Sequence, residues 1–115
     1  MQQFYFVAYY IMLYGYVRVS TDKQTVENQK LSISSYITTK NLPEQITRVS
    51  ETESGTKSYK HRLLGELIET LQAGDILLVS ELSRLGRSLF EVMELLGRLM
   101  EKDVQVMSIK EGFEL

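Results

Sequence analysis

Short apolar runs rich in β-branched and aromatic residues alternate along the chain with longer stretches in which apolar residues recur every three or four positions. The runs predict four strands, at residues 13–19, 46–50, 76–79 and 104–109. The first helical stretch begins at Thr21-Asp22 and ends at Asn41-Leu42-Pro43, and the second ends at Gly74. The third carries Leu85, Leu89, Val92, Leu96 and Leu99. The predicted order of elements is therefore β-α-β-α-β-α-β.

This alternation is typical of an α/β domain in three layers, with a mostly parallel sheet flanked by helices. Right-handed crossovers bring the carboxyl ends of parallel strands to one edge of the sheet, where ligands usually bind. The segments that follow the first three strands are therefore the ones expected to carry chemistry. They are residues 18–21, the polar loop at 51–60, and residues 80–87.

Composition narrows the possible functions. The 115 residues, 43% of them hydrophobic and 24% charged, indicate one globular domain. With no cysteine and a single histidine, His61, the chain lacks the residues for disulfides, thiol catalysis or a multi-histidine metal site. A formal net charge of -2 is unlike a domain that holds nucleic acid by bulk electrostatics, so any binding of a polyanion must depend on a local cluster of cations.

The apolar and aromatic run at residues 4–14 does not fit a targeting or membrane segment. It is shorter than the roughly 18–20 residues that a spanning helix needs, and neither a preceding basic residue nor a cleavage pattern accompanies it. We expect residues 1–11 to be an extension upstream of the domain, with Met12 as an alternative start, and we expect a cytoplasmic protein.

Arg18 and Ser20 stand two apart at the end of the first strand and are therefore expected to project to the same face. A cation beside a hydroxyl nucleophile suits attack on a phosphate. An acyl-transfer triad is not indicated, because the histidine stands alone and no Gly-x-Ser-x-Gly elbow is present. From spacing alone, the favoured interpretation of Ser20 is the hydroxyl that caps the following helix.

Arg84 and Arg87 are three apart, which predicts one helical face at the entry to the long third helix. Two guanidinium groups there could grip a phosphodiester or simply form a solvated basic face. Cations in the first turn of a helix oppose its dipole, which favours an external anion, and Gly86 between them permits close approach. No Walker loop, dinucleotide fingerprint or set of closely spaced carboxylates accompanies them, so nucleotide hydrolysis and metal-dependent nuclease chemistry are not indicated.

Ordered motifs along the chain resemble those of the serine recombinases, the family of resolvases and DNA invertases. The motifs are residues 14–24, Asn28-Gln29, Glu51 with Ser54-Gly55, Gly74-Asp75, and residues 81–88. The resemblance runs from Met12 to the end of the chain. It favours the functional interpretation of Ser20 and of both arginines over the structural ones.

The resemblance implies that Ser20 attacks a DNA phosphodiester to give a 5′-phosphoserine, which is later rejoined without a cofactor or an obligatory metal. It assigns phosphate binding to Arg18, Arg84 and Arg87, positioning to Gln24 and Gln29, and ordering of the active-site loop to Glu51 and Ser54. A loop cation is also implied; Arg62 is favoured over Lys60 and His61 because only it is an arginine. The implied partners are DNA and further copies of the chain, as a homodimer that becomes a tetramer in the synapse, with no membrane involved.

The chain departs from the family pattern at Ser83, where an aspartate is typical, which leaves Glu81 or Glu51 to orient the arginines. Glu51 itself stands where an aspartate is common. Residues 12–115 are expected to be the catalytic domain without the family's long dimer helix and helix-turn-helix reader, so this domain alone should bind DNA weakly and dimerise incompletely. The alternatives are a transposase of the same family, an inactive regulator with this fold, and a flavodoxin-like module, which would need an acidic phosphoacceptor.

Overall fold

The protein is described by a computed structural model over residues 12–19, 23–42, 46–52 and 63–114, with the backbone alone described at 23–26 and 113. The strands are β1 (Leu13–Val19), β2 (Ile46–Thr52), β3 (Ile76–Val79), β4 (Gln105–Ser108) and β5 (Phe113–Glu114). The helices are α1 (Lys23–Thr39), α2 (Leu63–Thr70) and α3 (Leu89–Glu101), and a single 3₁₀ turn spans Leu82–Arg84.

The five strands form one sheet in the order β2-β1-β3-β4-β5. The first four are parallel to their neighbours, and β5 runs antiparallel to β4. Tyr16 lies opposite Val79, so β1 continues past the end of β3 and carries Arg18 to the carboxyl edge of the sheet, opposite Glu51 of β2. The predicted α/β class with a mostly parallel sheet and flanking helices is confirmed.

Side-chain alternation along the fully buried β3 divides the core between the two faces of the sheet. Ile76 and Leu78 pack with Ile33 and Ile37 of α1, whereas Leu77 and Val79 pack with apolar residues of α2 and α3. The central strand therefore reads as a continuous apolar run, because both of its faces are covered.

Gly74 and Asp75 make the sharp entry into β3. Gly74 has φ +91°, which glycine adopts without a steric penalty. The buried Asp75 carboxylate accepts backbone N–H bonds from Gln72 at 2.8 Å and from Met12 at 3.3 Å. This motif therefore joins the starts of β1 and β3 at the edge opposite the candidate site.

Several predicted boundaries are wrong. Glu51 and Thr52 belong to β2 rather than to the loop, because β1 continues to pair with both. Helix α2 ends at Thr70 instead of Gly74, and α3 begins only at Leu89, so Leu85 precedes it. The predicted fourth strand shortens to Gln105–Ser108. The extension at 1–11, the Pro43 stop and the loop at 53–62 lie outside the described residues.

The short strand β5 was not predicted, because two residues are too few to show a periodicity. It is tied to α1 through Glu114, which accepts a 3.1 Å hydrogen bond from the Tyr36 hydroxyl and lies 3.8 Å from Lys40 Nζ. Burial, the hydrogen bond to Glu114 and the negative charge of that carboxylate together raise the pKa of Tyr36.

Helix α3 has a second apolar face that packs against nothing in the described structure. Val92, Leu95 and Leu99 face the core. On another side, Leu89, Phe90, Met93 and Met100 are exposed by 75%, 80%, 64% and 56%. Leu89, one of the apolar positions that indicated this helix, is therefore on the surface. None of the helices in the described ranges is long and apolar enough to cross a membrane.

Candidate active site

Arg18 connects the end of β1 to the turn that follows β3. It is only 7% exposed and lies on the same face of β1 as Tyr16. Its Nε donates to the carbonyl oxygen of Arg84 at 3.2 Å, and its Nη2 donates to that of Ser83 at 3.1 Å. The sequence predicted that Arg18 binds phosphate. In the structure, at least two of its donors bond to the main chain, so Arg18 holds the turn in place.

The segment 81–87, which we call the arginine turn, is a 3₁₀ turn and not the start of a helix. Arg84 N–H donates to the carbonyl of Glu81 at 3.2 Å, and Leu85 N–H donates to that of Leu82 at 2.9 Å. The side chain of Leu85 is fully buried and anchors the turn. The prediction of one helical face for Arg84 and Arg87 is therefore wrong: both precede Ser88, the N-cap of α3, and the helix-dipole argument does not apply to them.

The Arg84 guanidinium is held on one side by a carboxylate. Its Nη2 lies 3.1 Å from Glu81 Oε1, and its side chain is 25% exposed. Its Nε is buried and has no hydrogen-bond acceptor within the described structure. Buried donors are normally paired, so this N–H is an exception among the described side chains.

The Glu81 carboxylate contacts three described side chains. Besides Arg84, its Oε1 accepts from Ser83 Oγ at 3.0 Å, and its Oε2 lies 3.1 Å from Lys110 Nζ. Burial alone would raise the pKa of Glu81, but the bonds from Lys110 and Ser83 and the positive charges of Arg84 and Lys110 outweigh it and hold the pKa below its usual value. Ser83 therefore supports Glu81 instead of pairing with an arginine itself.

Arg87 is more open than Arg84. Its side chain is 54% exposed, with Nε 3.4 Å from Glu91 Oε2. Glu91 also accepts from the Arg87 N–H at 3.1 Å and donates its own N–H to Ser88 Oγ at 3.2 Å, an arrangement close to a capping box. A Cβ on Gly86 would lie 3.1 Å from the backbone nitrogen of Val92, so the close approach that this glycine permits is to α3.

Gln29 supports the end of β1 from the neighbouring helix. It is 5% exposed, and its Nε2 donates to the carbonyl oxygen of Arg18 at 3.1 Å. It also accepts a 3.4 Å hydrogen bond from Ser80 Oγ, at the end of β3. The predicted positioning residue thus contacts the backbone two positions before Ser20 and links the ends of both central strands.

Glu51 ties together three elements around the loop at 53–62. It is buried and accepts from the Tyr16 hydroxyl of β1. It also accepts the N–H groups of Leu63 at 2.8 Å and Leu64 at 3.3 Å, which would otherwise be unpaired at the start of α2. Its described partners include no arginine, so of the two carboxylates considered from the sequence, Glu81 is the one that orients Arg84.

Some predicted site residues cannot be placed. Ser20, Ser54 and Arg62 lie outside the described residues, as do Lys60 and His61. Gln24 lies in α1, but its side chain is not described. Their roles remain predictions. The described residues contain no cluster of three or more His, Cys, Asp or Glu side chains that could hold a metal ion.

Sequence reasoning missed the turn after β4. Lys110 pairs with Glu81, and Glu111 Oε1 accepts the N–H of Leu82 at 3.2 Å as well as the hydroxyl of the buried Ser108. No motif marks these residues. The available signal was topological, since a parallel strand next to β3 must also end at this edge.

Comparison with known proteins agrees with this geometry. The family model described as "Resolvase, N terminal domain" matches residues 13–115. A resolvase of Clostridium perfringens is 34% identical over 101 residues, which is 87% of this chain and 50% of that protein. The serine recombinase gin of Escherichia phage Mu is 32% identical over 103 residues, 90% of this chain and 49% of that protein. The chain thus spans about half the length of these curated relatives.

Two solved structures share the fold at lower identity. The N-terminal catalytic domain of TP901-1 integrase superposes with a TM-score of 0.72 at 22% identity, covering 90% of this chain and 80% of that one. A resolvase family site-specific recombinase from Streptococcus pneumoniae gives a TM-score of 0.72 at 23% identity, covering 90% and 75%. Together with the family match, the carboxyl-edge arginines and their supports identify the chain as a member of the resolvase family, matched through its N-terminal domain.

Replacing Glu51 with glutamine tests its structural role. The amide keeps one acceptor but directs an NH₂ group toward a backbone N–H or the Tyr16 hydroxyl, so we expect Glu51→Gln to lower the free energy of unfolding by about 1–3 kcal/mol. Glu66→Gln, an exposed change within α2 itself, should have little effect. Urea denaturation measures both; equal midpoints for the two variants would show that Glu51 does not hold α2.

Proposed function

We propose that residues 12–115 form the catalytic domain of a site-specific serine recombinase of the invertase or resolvase type. Ser20 Oγ attacks a DNA phosphorus, a P–O bond to the 3′ oxygen breaks, and the leaving strand takes up a proton to become a free 3′-hydroxyl. The product is a 5′-phosphoserine ester. After strand exchange, a 3′-hydroxyl attacks that phosphorus and returns Ser20 to its free form.

The observation that supports this proposal most strongly is the meeting of Arg18 and the arginine turn at the carboxyl edge of β1 and β3. In the sequence, Ser20 comes directly after Val19, the last residue of β1. A serine without a histidine base needs positive charge nearby to favour its deprotonated form and to stabilise charge on the phosphoryl oxygens. Fixed guanidinium groups supply both without a metal.

Arg84 and Arg87 have different parts in the proposal. Arg84 is paired with Glu81 and keeps a quarter of its side chain exposed, which suits a positioned donor to the developing charge of the transition state. Arg87 is exposed and only loosely paired, which suits capture of the incoming phosphodiester. Arg62, Gln24 and Ser54 belong to the same proposal by resemblance alone, and so does a cytoplasmic location, where the DNA would be met.

The carboxylates of Glu51 and Glu81 do not favour a signalling module with an acidic phosphoacceptor. Glu51 accepts bonds from Tyr16 and from the start of α2, and Glu81 is paired with two cations. Neither is open to a phosphoryl donor. An inactive regulator is not favoured either, since the departure at Ser83 leaves Arg84 with a carboxylate partner.

Covalent attachment tests the proposed reaction directly. The full natural protein should form a denaturant-resistant adduct with labelled DNA that carries its target site, and Ser20→Ala should form none, because the attacking oxygen is gone. Thr21→Ala removes the neighbouring hydroxyl and should retain the adduct. An adduct formed by Ser20→Ala would exclude Ser20 as the nucleophile. Cleavage of the DNA by the wild-type protein without an adduct would exclude the mechanism.

We also propose that copies of the chain associate through the second apolar face of α3, as a homodimer that pairs into a tetramer on DNA. Leu89, Phe90, Met93 and Met100 form this face, and all four are more than half exposed. Contiguous exposed apolar surface on a water-soluble domain usually marks a binding site. Cleaving and exchanging two duplexes requires several active sites at once, which gives such an interface a function.

A charge in this face should weaken association. Light scattering on the full natural protein is expected to give a dimer for the wild type and a larger monomer fraction for Met93→Glu, because a carboxylate would be buried without a partner. Leu31→Glu places the same charge on α1, at a side chain that is 66% exposed, and should leave the dimer intact. Equal monomer fractions in all three proteins would place the interface elsewhere.

A further inference from the structure

We propose that Glu81 is the positioning residue for Arg84 in the cleavage reaction and that Lys110, from the turn after β4, holds Glu81 in place. This inference rests on the proposed recombinase function and extends the site to a third parallel strand.

Arg18 and Glu81 hold different parts of Arg84. Arg18 holds the backbone of Arg84 through the carbonyl oxygen, but it does not fix the direction of the Arg84 side chain. The 3.1 Å contact between Arg84 Nη2 and Glu81 Oε1 does fix it, since one anchored nitrogen and a planar guanidinium restrict where Nε points. Glu81 therefore determines the direction of the Arg84 guanidinium that the proposed reaction uses.

Glu81 is itself held in place by two neighbouring side chains. A carboxylate on a flexible side chain positions nothing unless it is held, and Lys110 Nζ and Ser83 Oγ contact its two oxygens at 3.1 Å and 3.0 Å. The backbone holds the same region, because Lys110 N–H donates to the Ser80 carbonyl at 2.8 Å. The result is a chain of contacts from β4 through Glu81 to Arg84.

The ion pair between Glu81 and Lys110 contributes little to the stability of the fold. Glu81 is 21% exposed and Lys110 is 72% exposed at the side chain, and ion pairs this open to water add little to the free energy of folding. The arginine turn is anchored independently by Leu85 and by the carbonyl contacts of Arg18. Losing Glu81 should therefore disturb the reaction rather than the fold.

A double-mutant cycle on the full natural protein tests the inference. With saturating DNA, Glu81→Gln should slow single-turnover cleavage by about 10- to 100-fold, as displacement of a reacting group does. DNA affinity and the unfolding midpoint should not change. Arg84→Ala alone should slow cleavage by about 10²–10³-fold. Adding Glu81→Gln to Arg84→Ala should slow cleavage almost no further, because the effect of Glu81 passes through Arg84. Glu66→Gln is the matched exposed control, and Lys110→Gln should give a smaller loss than Glu81→Gln.

Rescue distinguishes positioning from general damage. Because Ser83 Oγ lies 3.0 Å from the Glu81 carboxylate, Ser83→Asp in the Glu81→Gln background returns a negative charge to the same place and should recover most of the lost rate. In the wild-type background the same change brings two carboxylates together and should not raise the rate. Glu81→Gln that cleaves at the wild-type rate, or that adds its full loss to Arg84→Ala, would overturn the inference.

A side-chain NMR measurement needs no activity and separates this inference from the proposed function. In ¹⁵N-labelled protein, the Nε–Hε signal of Arg84, assigned by its loss in Arg84→Ala, should shift in Glu81→Gln and stay in place in Glu66→Gln. An unmoved signal in Glu81→Gln would refute the positioning role. If the signal shifts but no Ser20 adduct forms, the contact is real and the proposed reaction fails.

Discussion

The candidate site depends on one contact, the planar fork of Arg18 on the carbonyl oxygens of Ser83 and Arg84. The two carbonyls belong to a turn that no ladder of the sheet includes, and β1 and β3 are joined by backbone pairing only as far as Tyr16 and Val79. Beyond that point, the guanidinium continues the connection with side-chain donors. Without it, the end of β1 would lose two hydrogen bonds to the turn that carries Arg84.

Around this contact, carboxylates hold backbone donors and cations in place at each end of the sheet. Asp75 fixes the entry into β3, Glu51 the start of α2, Glu91 the start of α3, and Glu81 the side chain of Arg84. These four carboxylates, out of 15 acidic residues in a chain with a net charge of -2, serve positioning within the structure. The guanidinium of Arg87 is more exposed, although its Nε lies 3.4 Å from Glu91, and it is the one proposed to meet the phosphate.

Much of the architecture could be predicted from the sequence, because a buried parallel sheet requires apolar runs such as residues 76–79, and its right-handed connections determine which edge gathers the strand ends. Arg18, Arg84, Gln29 and Glu51 were singled out in this way or by resemblance. The local conformation at 81–87 could not be predicted, since the spacing of Arg84 and Arg87 fits a helix as well as a 3₁₀ turn. The exposure of Leu89 could not be predicted either, because α3 is apolar on two sides and periodicity alone does not say which side meets the core.

The partners of the site residues were the least predictable part. Whether Glu81 or Glu51 faces an arginine depends on side-chain direction at two strand ends, and the contribution of Lys110 depends on β4 lying next to β3. Both are properties of the assembled sheet. They carry no local sequence signal, and the two carboxylates are alike in chemistry.

Hydrogen exchange in an Arg18→Lys variant tests the central contact most directly, because lysine keeps the charge but cannot bond both carbonyl oxygens as a fork. The backbone amides of Arg84 and Leu85 close the turn on Glu81 and Leu82. We expect these amides to exchange about tenfold faster or more in the variant, because one charge-assisted hydrogen bond is lost. The amides of β3 should keep their wild-type protection. Wild-type exchange rates at Arg84 and Leu85 in the variant would contradict the account, because the turn would then hold its shape without Arg18.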